Sequence, residues 1–99
     1  MTRQMTVQAI ETKFLGPTNK RGSRIKASAD AGSLTVAYDT GESDYDNHFE
    51  AAAALGDQFG WFEHGELLVA GGVGNGYVWV ILTPSEVDRL HAIVKRRTR

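Results

Sequence analysis

Few residues of the 99-residue chain have the types and the spacing that catalysis or metal binding requires. The three histidines, His48, His64 and His91, lie far apart and lack the i, i+4 pairing or the cysteine partners that hold a metal ion. No serine stands in a Gly-x-Ser-x-Gly elbow, and no pair of carboxylates shares a strand end where it could perform acid–base chemistry. We therefore expect a protein that is not an enzyme, with no catalytic residue, no metal site and no cofactor.

Two segments have a partial likeness to ligand-binding motifs. Residues 72–76 are rich in glycine, but phosphate-binding loops lead into a helix, whereas a strand is expected here. An Asn-Gly pair between strands predicts a hairpin turn, with a backbone nest for an anion as the alternative. Residues 44–47 begin like a calcium loop, yet the turn glycine and the closing glutamate are missing at the required offsets. We interpret this second segment as the acidic start of a helix.

The formal net charge of −1 conceals a segregation of charge along the chain. Residues 1–30 carry a net charge of +4, residues 31–66 carry −8 with no lysine or arginine, and residues 67–99 carry +3. Such a layout can create opposed surface fields that orient a binding partner.

The acidic block is the first candidate binding surface. Its carboxylates could imitate the phosphates of a nucleic acid and occupy a groove lined by arginine and lysine. An ordinary solvated helix face is the alternative interpretation. The residues predicted to form this surface are Glu42, Asp44, Asp46 and Glu50.

A basic loop and the strand after it form the second candidate. Residues 16–23 contain proline, glycine, asparagine and serine, which predict a loop. Lys20, Arg21, Arg24 and Lys26 could neutralise a phosphate backbone there, while a solvated loop and a protein contact are the alternatives. The basic residues near the C-terminus would support a nucleic-acid contact: Lys95, Arg96, Arg97 and Arg99.

Periodicity predicts five strands. The first covers residues 6–15, and alternation from Arg24 predicts a hairpin whose inward residues are Ile25, Ala27 and Ala29 and then Leu34, Val36 and Tyr38. A fourth strand covers residues 66–70, and residues 71–76 form the next turn. Residues 77–82 are almost all β-branched or aromatic, which predicts a central strand covered on both faces.

Start and stop signals predict two helices. Ser43 or Asp44 caps the first, Gly60 ends it, and its inward stripe is expected to be Tyr45, Phe49, Ala52, Ala53, Gly56 and Phe59. Thr83, Pro84 and Glu86 form a capping box with proline at the first helical position, so a second helix begins there.

These elements predict one domain over residues 1–99, with an α+β fold in the order β-β-β-α-β-β-α. A mainly antiparallel five-stranded sheet would carry the first helix on one face, with the second helix at an edge or on a partner. The apolar fraction of 41% is enough for one modest core. The absence of cysteine, of an apolar leader and of a membrane-spanning run favours the cytoplasm and no membrane partner.

Residues 14–27, with the sequence FLGPTNKRGSRIKA, resemble a family of small uncharacterised proteins of phages and bacterial mobile elements. The resemblance covers roughly residues 7–82, and includes an alanine-containing helix, Gly-Trp and a glycine-rich hairpin with an aromatic strand. The chain departs from the pattern around Phe62 and Glu63 and by its C-terminal helix. The family has no assigned activity, so the resemblance transfers no catalytic residue and implies a phage or mobile-element accessory protein.

Proteins of this size from such elements often inhibit host defence complexes, as anti-CRISPR proteins do. The leading expectation is therefore a non-enzymatic binding protein that acts on a host protein or ribonucleoprotein complex through a charged surface. The alternative is a small nucleic-acid-binding accessory protein that uses the basic loop. A homodimer through the C-terminal helix is a further expectation.

Overall fold

The computed structural model describes residues 9–63 and 65–97. It contains the seven elements in the predicted order, so the α+β fold is confirmed. The predicted beginning of the first strand, at residues 6–8, and His64 lie outside the described residues. The elements are β1 (Ile10–Leu15), β2 (Arg24–Ala29), β3 (Gly32–Ala37), α1 (Asp44–Gln58), β4 (Leu67–Val73), β5 (Gly76–Leu82) and α2 (Pro84–Arg97).

The five strands form one antiparallel sheet in the order β3-β2-β1-β5-β4. The helix α1 covers one face, against which Ile10, Ile25 and Trp79 are fully buried. The prediction that β5 is covered on both faces was wrong, because Val80 is 43% exposed on the other face. A run of β-branched and aromatic residues is typical of a strand that is covered on both faces. In β5 the buried residues are Trp79 and Ile81, whose side chains face α1. We call the uncovered side the open face.

Two tight turns close the hairpins. The register of β2 and β3 leaves Asp30 and Ala31 as a two-residue loop, one residue shorter than the turn predicted at residues 30–32, because Gly32 pairs with Ala29. The second turn is shorter than predicted, since residues 71–73 belong to β4 and only Gly74 and Asn75 remain between the strands. Gly74 has a φ of 51°, the left-handed conformation that two-residue hairpin turns need at their first position.

Both ends of α1 follow the predicted signals. The Ser43 hydroxyl accepts a hydrogen bond from the Asp46 N–H at 3.0 Å. At the other end Gly60 has a φ of 72°, and the N–H of Trp61 donates to the carbonyl of Gly56 at 2.9 Å. This second bond is the 6→1 bond of a Schellman motif, which satisfies a carbonyl left over by the helix.

The buried face of α1 differs from the predicted stripe. Tyr45, Phe49 and Phe59 are 46%, 38% and 36% exposed, because they lie at the rim of the helix–sheet contact rather than inside it. Small and polar side chains let the helix lie close to the sheet, and hydrophobic spacing alone does not detect such a face. Its buried residues are Asn47, His48, Ala51, Ala52, Leu55 and Gly56.

The capping box of α2 is confirmed. The Thr83 N–H donates to Glu86 Oε1 at 3.0 Å, and the Glu86 N–H donates to Thr83 Oγ1 at 3.3 Å. Beyond its first turn α2 packs little against the sheet or α1 in the described part of the chain. Neither helix described is long and apolar enough to cross a bilayer.

Gly76 provides a direct test of the β1–β5 contact, because a Cβ at this position would collide with the backbone carbonyl of Thr12. We expect Gly76→Ala to lower the free energy of unfolding by about 1–3 kcal/mol, the usual cost of overpacking. Gly72→Ala is the matched control, since a Cβ there meets nothing within 4 Å. Urea denaturation of both variants measures the difference. Equal stability of the two variants would show that β1 and β5 are not held this closely.

Candidate functional site

A buried polar cluster joins α1 to the centre of the sheet. The Trp79 Nε1–H donates to Thr12 Oγ1 at 2.9 Å, and His48 Nδ1 lies 2.8 Å from the same oxygen. All three side chains are fully buried. Because the Thr12 oxygen accepts the indole N–H, its own O–H is free to donate to Nδ1, which leaves the proton of neutral His48 on Nε2. Asp44 Oδ1 lies 3.6 Å from that nitrogen.

An acid, a histidine and a hydroxyl in this order resemble a catalytic triad, although no sequence motif marks them. The arrangement here lacks what a nucleophile needs. Thr12 is completely buried, so no substrate reaches its oxygen, and the indole of Trp79 already occupies it. The cluster is therefore a structural link between helix and sheet. In the sequence, Thr12 stands two residues after Ile10, so both side chains face the same side of β1. This spacing was the one sequence signal that could have identified Thr12 as a buried residue.

The electrostatics of His48 follow from its burial. Removal from water disfavours the imidazolium and lowers the pKa of His48, and the nearby Asp44 carboxylate opposes this effect without overcoming it. Nε2 has no hydrogen-bond partner among the described residues. His48 is thus held neutral inside the fold.

The loop before α1 is fixed by a single side chain that sequence patterns did not identify. The Asn47 amide accepts the N–H of Asp39 at 2.7 Å and donates to the carbonyls of Asp39 and Ser43, each at 2.9 Å. Asn47 is 4% exposed, so these bonds lie away from water. They hold the acidic residues of the loop in a defined position relative to those of the helix.

Three of the four predicted acidic residues share one surface, to which the structure adds Asp39. Burial and the adjacent Glu50 carboxylate, with smaller effects of Asp39 and Asp46, raise the pKa of Glu42. Glu42 Oε1 is buried without a hydrogen-bond partner in the described part of the chain. We call this set the acidic surface: Asp39, Glu42, Asp46 and Glu50.

Asp44, the fourth predicted residue, has a different environment. Its carboxylate accepts the Tyr38 hydroxyl at 3.2 Å and faces His48, although its side chain is 59% exposed. Burial, followed by this hydrogen bond, raises the pKa of Tyr38. Asp44 therefore supports the junction of β3 and α1 more directly than it contributes to the acidic surface.

The predicted basic residues extend over the open face. Lys26 and Arg24 alternate with buried residues of β2, so their side chains lie on that face. Register places Lys13 of β1 directly opposite Lys26, a like-charge cross-strand pair that is unfavourable without a counter-charge. Lys20 and Arg21 are exposed in the adjoining loop. Together we call these residues the basic surface: Lys13, Lys20, Arg21, Arg24 and Lys26.

The loop itself is ordered by Thr18. Its hydroxyl accepts the N–H groups of Lys20 and Arg21 at 3.3 and 3.0 Å, and its own N–H donates to the Arg21 carbonyl at 2.7 Å. The Arg24 Nε–H donates to the Gly22 carbonyl at 3.1 Å. Lys20, Arg21 and Arg24 consequently line one shallow depression.

Ion pairs within residues 9–63 and 65–97 neutralise neither surface. Among the described residues, no lysine or arginine of the basic surface forms an ion pair with a carboxylate, and no member of the acidic surface pairs with a cation.

The described part of the fold adds no metal-ligating or anion-binding residues to the two segments that resemble ligand-binding motifs. No group of three possible metal ligands occurs within residues 9–63 and 65–97. The groove beside the hairpin at Gly74 is lined by Asp44, whose charge disfavours an anion there.

Comparisons with protein-family models, with curated proteins and with solved structures found no match to this chain. Its function must therefore be inferred from the two charged surfaces and from the fold that presents them.

His48 and Glu42 should give stability opposite pH dependences. The pKa of His48 lies below its unfolded value of 6.5, so its contribution is fully present above that pH and is lost as pH falls through the folded pKa. The pKa of Glu42 lies above 4.5, so its contribution is fully present below that pH and is lost as pH rises through the folded pKa.

We expect His48→Gln to remove the first dependence and Glu42→Gln the second. Urea denaturation of both variants and the unmodified protein between about pH 7.5 and about pH 4 measures this, and NMR titration of the His48 ring in the unmodified protein provides a direct check. A His48 pKa at or above 6.5 would contradict the neutral, buried imidazole.

Proposed function

We propose that the chain is a non-enzymatic binding protein that uses the acidic surface to occupy an arginine- and lysine-lined site on a host protein or ribonucleoprotein complex. The observation that carries this proposal is the accumulation of carboxylates around Glu42 without a compensating cation among the described residues. A cationic partner would relieve that repulsion, which gives the surface a preference for such a site over neutral ones.

Preorganisation supports this choice. Asn47 fixes the loop, Ser43 caps α1, and the helix holds Asp46 and Glu50 one turn apart, about 6 Å along its axis. A partner then binds without first ordering the segment, which leaves more of the interaction energy for affinity. The rigid helix is what separates this surface from a merely solvated acidic stretch.

Exposed aromatic residues lie beside the carboxylates. Tyr45 and Phe49 stack on each other with ring centroids 6.4 Å apart, and both contact Trp79 beneath them. Exposed aromatic side chains that pack against a buried residue are frequent anchors of protein interfaces. The combination fits a protein partner with a basic groove and an adjacent apolar rim.

The resemblance to phage and mobile-element proteins gives this binding a biological setting. Inhibition of a host defence complex, in the manner of anti-CRISPR proteins, is the proposed role, because such complexes use basic grooves to hold nucleic acid. The acidic surface would compete with the nucleic acid for that groove.

Nucleic-acid binding by the basic surface is the second candidate, favoured by the like-charge cross-strand pair of Lys13 and Lys26. Single-strand platforms usually add aromatic side chains on which the bases stack. Tyr77 and Trp79 face α1 instead, and no aromatic side chain from the strands described lies on the open face. This candidate therefore predicts contacts with the phosphate backbone and a steep salt dependence.

Charge-neutralising variants separate the two candidates. We expect Glu42→Gln, Asp46→Asn and Glu50→Gln together to abolish co-purification with a panel of purified host defence ribonucleoproteins, because they remove three carboxylates with little change of shape. The matched control is Lys20→Gln with Arg21→Gln, which should retain binding. Loss of binding in the control alone, with DNA or RNA bound by the unmodified chain in a salt-dependent manner, would favour the second candidate.

A further inference from the structure

The open face has an aliphatic half on β4 and β5. Val69 lies opposite Val80 in the register, and Leu67 lies opposite Leu82, so these side chains form one contiguous group. Leu67, Val69, Val73 and Val80 are 51%, 43%, 48% and 43% exposed. We call these four residues the aliphatic patch. A contiguous apolar patch on a sheet is typical of a surface that another element covers.

The chain contains an apolar helix face that is also largely exposed. Ile93 and Val94 of α2 are 39% and 48% exposed. Val87, nearer the start of the helix, is half-buried. The sequence places Leu90 at the same helical spacing. This helix has 14 residues, about 21 Å, and β4 has seven, about 23 Å. The helix and the strand are therefore similar in length.

The connection between β5 and α2 prevents these surfaces from meeting within one chain. Only Thr83 separates Leu82 from Pro84, whereas a helix that folds back on its own sheet usually needs a loop of about 2–6 residues. Thr83 is itself part of the capping box of α2, so the helix begins directly after β5. No loop residue remains in which the chain could turn back over the sheet. Accordingly α2 leaves the sheet without covering the aliphatic patch.

We propose that α2 of one protomer packs across the aliphatic patch of a second copy of this chain, and that the second copy reciprocates. The occupant is a second copy because the same chain supplies both surfaces and cannot join them internally. Such an exchange is closed by a two-fold axis, which is the commonest symmetry of small assemblies.

The contact area sets the expected affinity. A helix about 21 Å long and about 10 Å wide covers roughly 210 Å², so reciprocal exchange buries four such surfaces, about 840 Å². Interfaces below about 1,200 Å² are typically weak and reversible. The exchange is therefore expected to give a weak dimer that dissociates on dilution.

Sedimentation velocity between about 1 µM and about 300 µM tests the dimer. The unmodified chain should pass from monomer to dimer over this range. Ile93→Glu on α2 and Val80→Lys on the open face should each weaken association at least about tenfold, without unfolding because both sites are exposed. Ala54→Glu, at an exposed position of α1 on the opposite side, is the control and should dimerise normally.

Mixing the two monomeric variants distinguishes helix-on-sheet exchange from a simple pairing of two α2 helices. In the mixed pair one contact is unmodified, and the other brings together the opposite charges introduced by Ile93→Glu and Val80→Lys, so association should return. A chain that stays monomeric at about 300 µM would overturn the proposal. So would a dimer that Val80→Lys leaves intact, or a mixture that remains monomeric.

Discussion

The hydroxyl of Thr12 is the point at which helix and sheet are joined. It lies on the central strand β1, accepts the indole N–H of Trp79 from β5 and contacts the imidazole of His48 from α1. The rest of the helix–sheet contact depends largely on small side chains such as Ala51 and Ala52, which bring the backbones close but offer little directional preference. The buried polar cluster supplies that direction, because its groups lose their partners if the helix rotates or slides.

The fixed orientation of α1 gives the molecule two electrostatically distinct sides. With Asn47 and His48 facing inward, Asp46 and Glu50 face solvent on the helix layer. Lys13, Arg24 and Lys26 lie beyond the sheet on the open face. The sheet thereby separates the acidic side of the molecule from the basic side. The net charge of −1 does not reveal this separation. Each side retains a charge that an external partner can neutralise, which is the physical basis of the proposed binding role.

The parts of the fold that depend on local chemistry were predictable. Alternation indicated the inward residues of β2 and β3, Gly60 ended α1, and Thr83 with Glu86 began α2. These features depend on neighbouring residues, which the sequence places side by side. The approximate position of both charged surfaces was predictable for the same reason.

The parts that depend on packing between distant elements were not predictable. The inward face of α1 consists largely of alanine, asparagine and histidine. The predicted apolar stripe therefore included the buried Ala52 and Gly56 but missed Asn47 and His48, and it placed Tyr45 and Phe49 inward although they lie at the rim of the contact. Lys13 joins the basic surface only because register places it opposite Lys26. The aliphatic patch was not predicted, because the sequence analysis expected both faces of β5 to be covered. In each case the missing information was which strand or helix lies alongside.

The unfolding free energy of Thr12→Val tests most directly whether this buried cluster holds α1 in place. Valine keeps the shape of threonine but leaves the indole N–H of Trp79 and the imidazole of His48 without their shared partner. We predict a loss of about 2–6 kcal/mol, from two buried polar groups at about 1–3 kcal/mol each. Thr35→Val on the exposed side of β3 should change stability by less than about 0.5 kcal/mol. A Thr12→Val protein as stable as this control would contradict the central place given to the Thr12 hydroxyl.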